Sequence, residues 1–110
     1  MKAIFYAGHR FITSDDIASA LLSVGKALAS AHRAENVEIP VTYADGSIRP
    51  ITVLLGPASQ LVAESVEIGA DELHDDVAVT RLRQLERQLL SKAVVPDEDA
   101  PRQRWSDSLD

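Results

Sequence analysis

The chain has 110 residues and a net charge of −6: long enough for one domain with a modest core, and too acidic overall to favour a phosphate backbone. Hydrophobic residues make up 45% and charged residues 25%, as in a soluble globular domain, but aromatics reach only 5%, so Leu, Val, Ile and Ala must build the core. The lack of cysteine excludes a disulfide framework, a thiolate metal site and a cysteine nucleophile, and no apolar run approaches the roughly 20 residues of a membrane helix.

The first ten residues, MKAIFYAGHR, meet a glycine and charged groups too early for a signal peptide. Together with the absence of cysteine, this suggests a cytoplasmic protein. Lys2 to Thr13 reads as a short hairpin with its turn at AGH. Two registers fit: a Gly8-His9 two-residue loop, or a three-residue loop ending on Gly8.

A helix follows, with Thr13 as N-cap and Asp16 three residues on, close to a capping box. Ile17, Leu21, Val24, Leu28 and Ala31 recur at +4, +3, +4 and +3, one helical face, and Asn36 marks its stop. The stretch VEIPVTYADGSIRPITVLL is a second hairpin. A three-residue Ala44-Asp45-Gly46 loop sets Tyr43 against Ser47 and pairs Val37 with Val53, Ile39 with Ile51 and Val41 with Arg49. The opposite face then pairs Glu38 with Thr52, Pro40 with Pro50 and Thr42 with Ile48. Each proline lacks an amide donor, so neither can face an inter-strand acceptor, and at least one interrupted sheet edge is expected.

Residues 56–60 read as a loop and 61–67 as a further antiparallel strand, although Pro57 and Gly69 would also suit the ends of a helix. A last helix spans roughly Asp76 to Lys92, with Ala78, Leu82, Leu85 and Leu89 as a narrow apolar stripe of coiled-coil spacing. The polar, proline-bearing segment 96–110 is expected to be a disordered tail, leaving 1–95 as the single domain.

The segments FYAGHRFITSDDIASALL, AENVEIPV and ITVLLGPASQL resemble a group of small, uncharacterised actinobacterial proteins of about this length. An acidic pair opening a helix and a proline before the last strand recur there at similar spacing. The resemblance implies a hairpin-helix-hairpin order and no particular activity.

Three groups could carry chemistry. In AGHRFITSDD, His9 could act as a base oriented by Asp15 or Asp16, with Ser14 or Thr13 as nucleophile. A four-residue strand between them spans on the order of 13 Å, so turn and cap roles explain the stretch better. In ADELHDD, His74 stands among Asp71, Glu72, Asp75 and Asp76, in a spacing that fits neither HExxH nor an EF-hand. Arg81, Arg83, Arg87 and Lys92 on the last helix could meet phosphates, but Glu86 lies among them. Trp105 is a lone aromatic in a charged segment and a possible partner anchor.

The sequence therefore predicts an α+β fold: a small antiparallel sheet with helix 1 on one face and a C-terminal helix. It predicts no catalytic, cofactor or metal residue. Ala78, Leu82, Leu85, Leu89, Arg81, Arg83, Arg87 and Trp105 form the expected interaction surface, on a homodimer or with an unidentified protein partner. A non-enzymatic homo-oligomeric interaction or assembly module is the leading expectation. The alternatives are a small-molecule-binding or hydrolytic domain using His9 or His74, and an accessory nucleic-acid binder using Arg81, Arg83 and Arg87; nucleic acid is the less expected partner.

Overall fold

The computed structural model describes residues 1–67 and 73–94. Seven elements follow one another: β1 (Lys2–Tyr6), β2 (His9–Thr13), α1 (Asp15–Ala31), β3 (Glu35–Thr42), β4 (Ile48–Leu55), β5 (Val62–Ser65) and α2 (Asp76–Val94). The five strands form one antiparallel sheet in the order β4-β3-β2-β1-β5, with the helices packed on one face. This is the α+β fold expected from the sequence. The tail 96–110, with Trp105, lies outside the described residues, as do Asp71 and Glu72.

The first hairpin adopts neither expected register. Tyr6 faces His9 across a two-residue Ala7-Gly8 turn, and both turn residues have positive φ (53° and 82°). Two left-handed residues are the signature of a type I′ turn, whose twist matches that of the flanking strands. Alanine holds this conformation against its own Cβ, at a cost of about 1 kcal/mol. Ala7→Gly should therefore stabilise the fold by about 1 kcal/mol and raise the melting midpoint by roughly 4–8 °C. A calorimetric scan showing no rise would contradict the turn assignment.

The N-cap of α1 is Ser14 rather than Thr13: the Ser14 hydroxyl accepts from the Ile17 amide at 3.1 Å. Thr13 ends β2, fully buried, and its hydroxyl donates to the Pro40 carbonyl at 2.8 Å. The helix also stops earlier than Asn36. His32 takes a left-handed conformation (φ 54°), and the amides of His32 and Arg33 close back on the carbonyls of Ala29 and Leu28. That is the Schellman pattern, and it frees Asn36 to enter β3.

The second hairpin has the expected register throughout, from Val37–Val53 and Ile39–Ile51 to Thr42–Ile48. Gly46 is left-handed (φ 87°), and Tyr43 donates to the Ser47 carbonyl at 2.9 Å. Asp45 accepts from the hydroxyl and amide of Ser47, which holds its carboxyl below the ordinary aspartate range. Hydrogen-bonded pairs alternate along an antiparallel ladder, so Pro40 points its missing donor toward β2 and Pro50 points its own away from β3. The consequence is visible: β2 and β3 share a single pair, Ile12–Thr42.

β5 is shorter than the expected 61–67 and pairs with β1, placing it at the edge opposite β4. Four strand spacings of a flat sheet amount to about 19 Å. Only residues 56–61 join these two edges, and they fold back through a Ser59 amide bond to the Gly56 carbonyl. The sheet must therefore curl. Tyr6 clasps the curl: its hydroxyl donates to the Leu54 carbonyl and lies 2.9 Å from Ser59 Oγ, which accepts from the Gly56 amide.

The inner face of the sheet supplies Ile4, Val37, Ile39, Val41 and Leu55 to a core completed by Ile17, Leu21, Val24 and Leu28 of α1. These helix residues form the stripe read from the sequence, and all four are fully buried. Asp75 caps α2 by accepting from the Ala78 amide at 3.0 Å. The helix then packs along α1 and touches β3.

Candidate functional site

The reactive residues of AGHRFITSDD separate in space. His9 begins β2 beside the hairpin turn, Ser14 and Thr13 are held by the bonds above, and Asp15 takes the Met1 amino group at 3.0 Å. No hydrolytic constellation forms there. Among the described residues, no three histidine or acidic side chains gather as they would around a metal ion. His74 precedes α2, on a different element from His9.

The apolar stripe of α2 is its inward face. Ala78, Leu82 and Leu89 are buried, and Leu85 is half-buried against the core, so the stripe expected to meet a partner is engaged within the chain. The arginines do not form one basic face. Arg83 donates to Ser23 Oγ on α1 and to Glu86, both at 3.2 Å, and so ties the helices together. Arg81 shares a shallow cleft with Asp75 and Glu38. Arg87 is exposed.

Two other features of the curled sheet remain open. The first is the outer edge of β4, which among the described residues pairs with no further strand, although its Leu54 carbonyl accepts from the Tyr6 hydroxyl. Because Tyr43 and Ser47 form a hydrogen-bonded pair, the alternate residues Ile48, Pro50, Thr52 and Leu54 turn their backbone groups away from β3. Their side chains occupy the outer face of the sheet, where Leu54 is 59% and Ile48 54% exposed. None of the residues from Pro50 to Leu55 is charged, although edge strands commonly carry charge as protection against pairing.

The second feature is a groove of about 460 Å³ between the two hairpins, whose strands β2 and β3 share the single backbone pair Ile12–Thr42. Tyr6 and Phe11 line one side, Tyr43 the other, and Ile51 and Val53 supply apolar surface between them. His9 and Arg10 also line it, and Arg49 stands over the Tyr43 ring at 4.8 Å. Arg10 extends over Phe5 on the outer face, 5.8 Å from the ring centre. His9 and Arg10 thus border a groove whose opposite wall lies more than thirty residues away in sequence. Only the missing amide of Pro40 hinted that the hairpins would part.

No helix among the described residues is long and apolar enough to cross a membrane. Comparison with protein-family models, with curated proteins and with solved structures finds no match.

Proposed function

We propose that the chain is a non-enzymatic homo-oligomeric interaction module, pairing with a second copy through β4. The observation that carries this reading is the self-complementary pattern of backbone groups on that edge. A two-fold pairing centred on Thr52 joins Thr52 to Thr52 of the second copy in both directions. The same register brings the Leu54 amide to the second copy's Pro50 carbonyl. The one missing donor, Pro50, then faces the second copy's Leu54 carbonyl, which already accepts from Tyr6. Centring on Pro50 would instead leave two carbonyls without donors. The chosen register also covers exposed Leu54 with a proline ring, giving hydrophobic burial to an uncharged edge. The absence of cysteine suits a reducing compartment, and the cytoplasm is the proposed location.

Thr52→Pro tests the proposal cleanly. It removes the donor at the two-fold centre, while the Thr52 amide takes no part in the β3–β4 ladder. Sedimentation should show a dimer for the parent chain and dissociation about 10- to 100-fold easier in the variant, with the same far-ultraviolet spectrum. A parent chain that stays monomeric, or a variant that dimerises equally well, would overturn the reading.

A further inference from the structure

We infer that the groove between the hairpins is a binding site for a small aromatic carboxylate. Five aromatic residues exist in the whole chain, and three of them, Tyr6, Phe11 and Tyr43, line this one groove. A core so poor in aromatics would be expected to bury them; here Tyr6 and Phe11 are only half-buried and Tyr43 is exposed. The Tyr6 hydroxyl is already committed to Leu54 and Ser59, so the residue offers the groove a ring rather than a polar tip. With Ile51 and Val53, these rings form an apolar slot suited to a flat ring, which stacks or packs edge-on against aromatic neighbours. The volume of about 460 Å³ lies in the range of small-molecule sites.

Charge selects the rest of the ligand. The chain carries six more acidic than basic residues, yet among the described residues no carboxylate lines this groove. Its ionisable lining comprises His9, the two tyrosines and Arg10, whose guanidinium reaches over Phe5 at the rim, and Arg49 stands over the Tyr43 ring. A carboxylate on the ligand would meet positive potential at the mouth while its ring enters between the hairpins. The site needs only one copy of the chain, and its lining shares Thr52 and Leu54 with the edge proposed to pair.

The probe is phenylacetate, with uncharged phenylacetamide as the control, followed by the ring resonances of Tyr6, Tyr43 and His9. Saturable shifts confined to the groove are expected, with the acid binding up to about fivefold tighter than the amide. Arg10→Gln combined with Arg49→Gln should erase that difference while leaving the melting temperature close to the parent's. Tyr43→Ala should weaken both ligands by up to about tenfold. Absence of saturable shifts, equal binding of acid and amide, or shifts centred outside the groove would overturn the inference.

Discussion

Leu21→Ala should cost the fold about 2–5 kcal/mol, the largest loss expected from any single truncation considered. Leu21 sits in the middle of α1, fully buried, in the cluster that joins α1 to Ile4, Ile39 and Val41 of the sheet. Truncation removes the transfer free energy of its side chain and leaves a cavity that a helix anchored at both ends cannot close. Against a total stability of about 5–15 kcal/mol, that is a large fraction. Urea unfolding should show a lower midpoint at an unchanged slope. Leu22, its exposed neighbour, supplies the control and should lose less than about 1 kcal/mol when truncated. Equal losses at the two positions would show that α1 is rotated relative to the sheet.

Leu82→Ala distinguishes the two uses to which the α2 stripe could be put. Leu82 is buried against the chain's own core, so truncation should cost about 2–4 kcal/mol, independent of protein concentration. A stripe serving as a seam between copies would give a loss that changes with concentration, because the lost contacts would be intermolecular. Leu90 lies on the outward side of the same helix, 46% exposed, and Leu90→Ala should change stability by no more than about 0.5 kcal/mol. Unfolding at several protein concentrations settles the outcome. A concentration-dependent loss at Leu82 would return α2 to the role of contact surface.

The element order and the second hairpin were legible because they rest on local rules. Alternation over Val37 to Val41 and Ile51 to Val53, with an Asp-Gly turn between, admits one register that keeps the apolar residues on one face. The spacing of Ile17, Leu21, Val24 and Leu28 likewise specifies the buried side of α1. The caps were harder to read. Thr13 and Ser14 are adjacent and chemically alike, and only the pull of the Pro40 carbonyl on Thr13 assigns the cap to Ser14. His32 ends the helix without the glycine or asparagine that would announce a left-handed stop.

By itself, the sequence determined the order of the hairpins and helices, the apolar face of α1, α2 and the second hairpin, and that the two prolines leave at least one interrupted edge. Period and turn chemistry act between near neighbours, so these properties need no knowledge of the rest of the chain. Tertiary structure decided what each apolar face meets. The α2 stripe, suited equally to a partner helix or to its own core, packs on α1 because Ser23, Arg83 and the buried leucines find one another there. The curl of the sheet, the Tyr6 clasp and the aromatic groove all join residues from different hairpins. They arise from the path of the whole chain, since a short connection must bring opposite edges together, and no local pattern records that distance.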